Sequence, residues 1–206
     1  MERGKFIVIE GGEGAGKSTQ INELKKILGE STIFTREPGG SVLAEKIREV
    51  ILSPQAKEAD GKTQFALFWA SRADHMRETV IPALERGMNV VTDRFDSSSY
   101  TYQIYGQEDS SLKDLFYSMR DIYLGDFKPD LYIFMDIDPK VGLERKAEQR
   151  GVQLNHFDDR DIDFHSRVRS GLAEFFKTVP VITVDANKDF ESVKKELLKV
   201  IEKEIK

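Results

Sequence analysis

A glycine-rich segment near the start of the chain carries the residues with the clearest chemical potential. It reads GGEGAGKST and fits the pattern G-x-x-x-x-G-K-[ST]. Glycines let a backbone fold tightly around phosphate oxygens with its N–H groups turned inward, and the helix that follows directs the positive end of its dipole at the same anion. Lys17 can reach the β- and γ-phosphates, and the Ser18 hydroxyl can bind Mg²⁺. The segment therefore predicts a nucleoside triphosphate site with magnesium, formed by Gly11, Gly12, Glu13, Gly14, Ala15, Gly16, Lys17, Ser18 and Thr19.

The rest of the sequence favours one class of triphosphate-binding protein. A GTPase switch would need D-x-x-G, which does not occur, and N-K-x-D, of which Asn187-Lys188-Asp189 has the aspartate one position early. Motor and assembly ATPases usually have larger chains or added domains. The chain therefore favours a kinase that acts on a small, already phosphorylated acceptor. A kinase for another nucleoside or nucleotide, and a non-catalytic nucleotide-binding module, are the alternatives.

Two arginines are placed to bind a second phosphate group. Arg36 ends the second apolar run, and Arg94 follows the third directly after Asp93. Ligands of open parallel sheets lie at the carboxyl ends of the strands, where two guanidinium groups can hold one phosphate. Asp93 has the position expected of a carboxylate that holds Mg²⁺ through water. Surface ion pairs of the two arginines and a helix cap made by Asp93 are the alternatives.

An aromatic ring and a guanidinium share one face of a predicted helix. Phe68 and Arg72 are four positions apart, which places them on the same side. Such a pair can stack on a nucleobase and donate to its carbonyl group, but a core phenylalanine beside a surface arginine has the same spacing. The three histidines, His75, His156 and His165, have no metal-binding spacing.

The elements that must position these residues alternate along the chain. Short runs rich in β-branched and aromatic residues predict strands, and several are apolar throughout, as expected of strands buried on both faces. Strands alternating with long helices indicate a parallel α/β sheet. The predicted strands are Lys5–Glu10, Thr32–Arg36, Asn89–Asp93, Leu131–Asp136 and Val181–Asp185, and the predicted helices are 17–28, 41–52, 62–86, 111–124, 139–149, 160–177 and 189–205.

Composition limits the classes of protein further. The 206 residues suit one domain, over 1–206, and the net charge of -5 disfavours binding to nucleic acid, which needs a basic face. No apolar run reaches the length of a membrane span, and the first one, Phe6–Ile9, is too short for a signal peptide. The chain has no cysteine, which excludes disulfides and zinc–cysteine sites and fits a reducing cytoplasm.

One polar loop interrupts the alternating pattern. Residues 150–159 read RGVQLNHFDD and lie between two predicted helices. Loops of this length in compact α/β domains are often lids that close over a ligand. We expect a lid segment over about 146–160, with an ordinary surface loop as the alternative.

Taken together, four motifs in this order resemble those of the thymidylate kinase family. They are Ile9–Thr19, Thr35–Gly40 (TREPGG), Phe68-x-Ala70-x-Arg72-x-x-His75, and Asp93-Arg94-Phe95-x-x-Ser98-x-x-x-Tyr102-Gln103. The resemblance implies a three-layer P-loop kinase fold with a five-stranded parallel sheet flanked by helices, a lid and a homodimer. It also implies that ATP and dTMP are converted to ADP and dTDP.

The resemblance assigns roles to individual residues. Arg36 and Arg94 would hold the acceptor phosphate, Phe68 would stack on thymine, and Arg72 would donate to its O4. Ser98, Tyr102 and Gln103 would line the base and sugar site, and Glu13 would accept from the 3′-hydroxyl. Lys17, Arg94 and a lid arginine, for which Arg150 is the first candidate, would act in catalysis. The chain departs from the family pattern at Thr101, at His156 and in the length of Arg145–Gly151.

Overall fold

Five parallel strands form one sheet in the order β2-β3-β1-β4-β5. The computed structural model describes residues 2–148, 157 and 160–205. Its strands confirm the predicted α/β class, and four of the five have the predicted bounds, while β1 begins and ends one residue later. The strands are β1 Phe6–Gly11, β2 Thr32–Arg36, β3 Asn89–Asp93, β4 Leu131–Asp136 and β5 Val181–Asp185.

Helices cover both faces of the sheet and make the molecule three-layered. They are α1 Lys17–Leu28, α2 Val42–Ile51, α3 Pro54–Lys57, α4 Gly61–His75, α5 Ile81–Glu85, α6 Asp96–Ser99, α7 Lys113–Leu124, α8 Pro139–Glu148, α9 Ile162–Phe175 and α10 Phe190–Glu204. Two π-helical segments, Met76–Val80 and Tyr100–Gly106, and two short 3₁₀ turns, Ser110–Leu112 and Gly125–Phe127, complete the helical structure of the described residues.

Strand β1 shows how one apolar run supports two cores. Phe6 and Val8 pack in a core with α4, α7 and α9, whereas Ile7 and Ile9 pack with α1 and α10. Successive side chains of a strand point to opposite faces, so a strand between two helical layers is apolar along nearly its whole length. In β1 the apolar run ends at Ile9, directly before the buried Glu10 and the glycine-rich loop.

The helical stretch from Asp96 to Gly106 was not predicted from the sequence. It follows β3 as α6 and then as the π segment, and nearly all of its side chains are buried. A helix buried all round lacks the apolar stripe of a surface helix, and serine, threonine and tyrosine have modest helix propensity. Packing on α9 fixes it instead: a Cβ on Gly171 would lie 2.8 Å from the Tyr105 ring.

None of the described helices is both long enough and apolar enough to cross a lipid bilayer.

Candidate active site

The loop between β1 and α1 has the shape that its glycines predict. Gly14 and Gly16 take left-handed conformations, with φ of 71° and 83°, which side chains disfavour. The loop also touches α8 backbone to backbone. A Cβ on Gly14 would lie 1.9 Å from the Gly142 carbonyl oxygen, and a Cβ on Gly142 would lie 2.2 Å from the Glu13 carbonyl oxygen. The loop is thus held between the sheet and the helix that leads to residues 149–159.

Lys17 begins α1 and folds back onto the loop that precedes it. Its Nζ donates to the carbonyl oxygens of Gly11 and Gly12 over 2.9 and 3.0 Å. Burial of the ammonium group, and secondly the charge of Arg94, lower the pKa of Lys17. Lys17 therefore lies at the mouth of the loop, held by hydrogen bonds that a phosphate oxygen can replace.

Ser18 and Asp93 meet at the edge of the loop. The Ser18 hydroxyl donates to Asp93 Oδ2 over 2.9 Å, and the other oxygen, Asp93 Oδ1, is buried without a hydrogen-bond partner among the described residues. Hydroxyl and carboxylate oxygens are ligands that suit Mg²⁺, which binds one or two protein oxygens together with substrate phosphates. The described residues contain no cluster of three or more acidic, histidine or cysteine side chains that could hold a metal ion.

Arg94 points back over the loop from the end of β3. Its backbone is left-handed, with φ of 65°, which is uncommon for a residue other than glycine. One guanidinium nitrogen donates to Glu10 Oε1 over 3.0 Å and the other donates to Glu13 Oε1 over 2.6 Å. Two carboxylates thus fix the guanidinium beside Lys17, and the strained backbone is held by these contacts.

Glu13 is the meeting point of three groups around the cleft. It accepts hydrogen bonds from Arg94, from the Tyr102 hydroxyl over 3.0 Å and from Lys146 Nζ over 2.6 Å. Burial by itself raises the pKa of Glu13, but the nearby charges of Arg94, Lys17 and Lys146 outweigh it and hold that pKa well below its ordinary value. Burial likewise raises the pKa of Tyr102, which keeps its hydroxyl protonated and able to donate.

A cleft with a cavity volume of about 220 Å³, partly open to solvent, runs from the loop toward α4. Its lining combines a cationic and an apolar group of side chains. The cationic group is Lys17, Arg36, Arg48 and Arg94, and the apolar group is Pro38, Leu52, Phe68, Tyr102 and Phe157. Such a cleft can hold a phosphorylated molecule that also carries a flat ring.

The structure brings nine of the eighteen predicted site residues to the lining of this cleft. Glu13, Lys17, Ser18, Arg36, Phe68, Asp93, Arg94, Ser98 and Tyr102 all line it. The Phe68 ring faces Phe157 with 6.0 Å between centroids, and Phe157 also meets the Tyr102 ring at 5.9 Å. Arg36 is half-exposed and donates to both carboxylate oxygens of Glu45.

Arg72 and Gln103 lie behind the cleft rather than on its lining. Arg72 is 1% exposed, so the alternative of a surface arginine is wrong. Its guanidinium donates to Glu37 Oε2 over 2.8 Å, to Ser99 Oγ and to the Phe95 carbonyl oxygen. Gln103 is fully buried, and neither polar atom of its amide has a hydrogen-bond partner among the described residues.

Several residues in or beside the cleft were not among the predicted site residues. Arg48 reaches from α2 and donates to the Pro38 carbonyl oxygen over 2.7 Å. Phe157 and Lys146 belong to the segment expected to be a lid, and no spacing marks them out. Glu10 could have been found, because an acidic residue at the end of a buried strand needs a partner. It accepts from Arg94, Ser97 and Ser98.

The predicted catalytic arginine of the lid, Arg150, lies outside the described residues, as do 149, 151–156, 158 and 159. Of the other cations near this segment, Arg145 is directed elsewhere. It donates to the carbonyl oxygens of Ala186 and Asn187 over 2.7 and 3.1 Å. Lys146, in contrast, reaches Glu13 at the cleft.

Comparisons with known proteins agree with one another. The family model described as thymidylate kinase matches residues 9–197. A thymidylate kinase of Geobacillus sp. (strain WCH70) is 39% identical over 197 residues, with 93% of this chain and 92% of the relative covered. One of Halalkalibacterium halodurans is 35% identical over 210 residues, with 100% and 99% covered. The crystal structure of the Ehrlichia chaffeensis thymidylate kinase superposes with a TM-score of 0.73 at 29% identity, with 96% and 98% covered.

Proposed function

The chain belongs to the thymidylate kinase family, and from that premise we propose how its residues transfer the γ-phosphoryl group of ATP to dTMP. The products are ADP and dTDP, the latter a precursor of dTTP. One observation carries the assignment of residues. One cleft beside the phosphate-binding loop is lined both by cationic side chains, Arg36, Arg48 and Arg94, and by the aromatic ring of Phe68.

ATP binds with its phosphates in the loop between β1 and α1. The inward N–H groups of the loop and the start of α1 hold the phosphate oxygens. Lys17 exchanges the carbonyl oxygens of Gly11 and Gly12 for oxygens of the β- and γ-phosphates. Its lowered pKa is restored when those anions arrive, because opposite charges favour the ammonium form.

dTMP binds with its phosphate at the cationic side chains of the cleft. Arg94 and Arg36 hold the phosphate, and Arg48 adds a third positive charge. For Arg94 this requires a change of partner, since one of its nitrogens now donates to Glu13. Once released, Glu13 can accept from the 3′-hydroxyl of the sugar, next to Tyr102.

The base lies against the apolar side chains of the cleft, where Phe68 stacks on it. Gln103 supports this placement, because a buried amide whose two polar atoms have no hydrogen-bond partner among the described residues is costly unless a ligand supplies one. Arg72 donates to the base carbonyl with the N–H groups that Glu37, Ser99 and Phe95 do not use, and this requires the side chains between Arg72 and the cleft to shift.

Magnesium fits the pair formed by Ser18 and Asp93. Asp93 Oδ1, which is buried without a hydrogen-bond partner in the part of the chain that the structure describes, and the adjacent Ser18 hydroxyl are the donors that this cation prefers. When bound, Mg²⁺ neutralises charge on the β- and γ-phosphates.

The reaction itself asks little covalent chemistry of the protein. The transferred group passes through a loose transition state, so catalysis consists of positioning and charge stabilisation. No general base is needed, because the acceptor phosphate is already an anion. Lys17 and Arg94 supply charge from the sheet side, and we assign Arg150 the same role from the lid, whose closure excludes water.

The experiment that tests the proposal is an ADP-release assay over a panel of acceptors. dTMP, dUMP, UMP, CMP, AMP and thymidine are compared at fixed ATP and Mg²⁺. We expect dTMP to stimulate ADP release most and thymidine, which lacks the phosphate, to stimulate it little. Equal stimulation by another nucleotide would reassign the acceptor, and no stimulation by any would leave a non-catalytic binding module.

We also propose a homodimer and a cytoplasmic location. Exposed apolar side chains support self-association, since α2 exposes Val42 and Val50 and α7 exposes Leu115 and Ile122. Both helices flank α4, which packs against α2 and meets α7 through Trp69 and Tyr123. Sedimentation velocity would show a species of twice the chain mass. The cytoplasm supplies ATP, and its reducing conditions suit a chain with no cysteine.

A further inference from the structure

Glu10 is a fully buried carboxylate at the end of β1, in direct contact with the cleft residues but not itself on the cleft lining. Four donors surround it. Oε1 accepts from the Gly11 backbone N–H and from Arg94, each over 3.0 Å. Oε2 accepts from the hydroxyls of Ser97 and Ser98 over 2.8 and 2.7 Å. A buried carboxylate with this many donors is held in one place.

The two carboxylates on Arg94 are not equivalent. Glu13 lines the cleft, and its side chain is 14% exposed, whereas the Glu10 side chain is 0% exposed. An incoming phosphate can therefore displace Glu13 from the guanidinium, while Glu10 is out of its reach. The Arg94 nitrogen bound to Glu10 stays anchored, and the nitrogen bound to Glu13 becomes the one that meets the ligand.

We propose that Glu10 is a positioning residue for the acceptor phosphate, acting through Arg94. This inference rests on the proposed function. Glu10 fixes one edge of the guanidinium so that the other edge faces the phosphate, and it holds Arg94 in its left-handed conformation. Through its other oxygen, Oε2, Glu10 also fixes Ser98, which lines the cleft as well. A ligand then binds a preformed group and does not have to order a long side chain.

A purely structural role for Glu10 makes a different prediction. If Glu10 only joined β1 to α6, its loss would lower stability and weaken every ligand alike. If it positions Arg94, its loss must weaken dTMP, which carries a phosphate, and spare thymidine, which does not. The ratio of the two dissociation constants therefore separates the roles, and it is measured by calorimetry with the full chain.

The variant is Glu10→Gln, and the matched control is Asp96→Asn. Asp96 is also fully buried, in α6 next to Ser97, and it accepts from Tyr132 and Arg120 rather than from Arg94. We expect Glu10→Gln to weaken the binding of dTMP about tenfold, which is the value of one charged hydrogen bond. The binding of thymidine should be unchanged. Asp96→Asn is expected to lower Tm and to leave the ratio unchanged. Equal weakening of both ligands in folded Glu10→Gln would overturn the proposal.

A double-mutant cycle with Arg94→Ala provides the decisive test. Without the Arg94 guanidinium, Glu10→Gln should not weaken dTMP further, and a full additive loss would refute the coupling. Ser97→Ala, which removes one donor from Glu10 and leaves its charge, serves if Glu10→Gln does not fold. It should weaken dTMP about threefold and spare thymidine, and no change in the ratio would count against the proposal. ADP release by the wild-type enzyme tests the proposed function separately. If another nucleotide proves to be the acceptor, that nucleotide and its nucleoside replace dTMP and thymidine in the cycle.

Discussion

Ser18 and Asp93 are 75 positions apart in the chain, and the Ser18 hydroxyl donates to Asp93 over 2.9 Å. The sheet order brings them together, because β3 pairs with β1 and places Asp93 opposite Ile9. The loop that follows β1 then delivers Ser18 to the same edge. Two residues singled out separately for one cation thus prove to be neighbours.

Replacing Asp93 should change the response of the enzyme to magnesium. We expect Asp93→Ala to raise the Mg²⁺ concentration for half-maximal rate by about tenfold, because one oxygen of the site is lost. The measurement is initial rate against free Mg²⁺ at saturating ATP and dTMP. Asp136→Asn is the control, since Asp136 also ends a strand but pairs with Arg169. An unchanged magnesium curve for Asp93→Ala would remove Asp93 from the metal site.

Replacing Lys17 should abolish transfer while the fold survives. The ammonium group donates only to loop carbonyl oxygens among the described residues, so Lys17→Ala takes little from the core. The charge it brings to the transition state is worth on the order of 10²- to 10³-fold in kcat. Kinetics beside circular dichroism check this, with Lys25→Ala on the same helix as the control. A folded Lys17→Ala enzyme with near-normal turnover would contradict the loop assignment.

Arg72→Met should destabilise the fold more than a surface change would. Arg72 pairs with buried Glu37, and breaking such a pair leaves an uncompensated charge that costs about 3–5 kcal/mol. We also expect a raised KM for dTMP with the KM for ATP unchanged. Unfolding by denaturant measures the loss of stability. The double variant Arg72→Met/Glu37→Gln should recover part of the free energy of unfolding that Arg72→Met loses. If unfolding of the single and double variants is the same, the pair does not carry this energy.

Arg150→Ala should lower kcat far more than it weakens dTMP binding. An arginine that meets the transferred group mainly in the transition state is worth on the order of 10³-fold in kcat. Single-turnover rates and equilibrium binding separate the two effects. Arg145→Ala is the control, because Arg145 is held by carbonyl oxygens of 186 and 187. If Arg150→Ala keeps the wild-type kcat, the catalytic role would be assigned instead to Lys146, which donates to Glu13.

Lowering the pH should remove the contribution of Glu13 to the stability of the fold. Its pKa is lower in the folded chain than the ordinary 4.5, after its cationic neighbours outweigh the effect of burial. A group of this kind contributes stability above its unfolded pKa and loses it as the pH falls through the folded pKa. The difference in free energy of unfolding between wild type and Glu13→Gln should therefore be largest near pH 7 and shrink below pH 4.5. A difference that stays constant with pH would contradict it.

The sequence predicted those parts of the site that strands deliver. Strands buried on both faces have a continuous apolar pattern, so the ends of β2 and β3, with Arg36 and Asp93, could be located from the sequence. The helical stretch that carries Tyr102 and Gln103 could not, because it is buried on all sides and has no periodic stripe.

The rest of the site could not be predicted from the sequence, because it depends on pairs of residues that are far apart in the chain. The partner of Arg72 is Glu37, 35 positions away, and no local spacing announces such a pair. The same holds for Glu13 with Lys146, which are 133 positions apart. The sequence indicated that these side chains were charged, but only the fold shows that Arg72 lies in the core and that Lys146 faces the cleft.

The contact between Gly14 and Gly142 restricts which substitutions this sequence can accept at the two positions. A side chain at either position would strike a main-chain carbonyl group of the other segment, at 1.9 Å or 2.2 Å. Main-chain atoms are the same whatever residue is encoded, so no substitution at one position can make room for a substitution at the other. The two sites cannot change as a compensating pair, and a library randomised at both should return glycine at both.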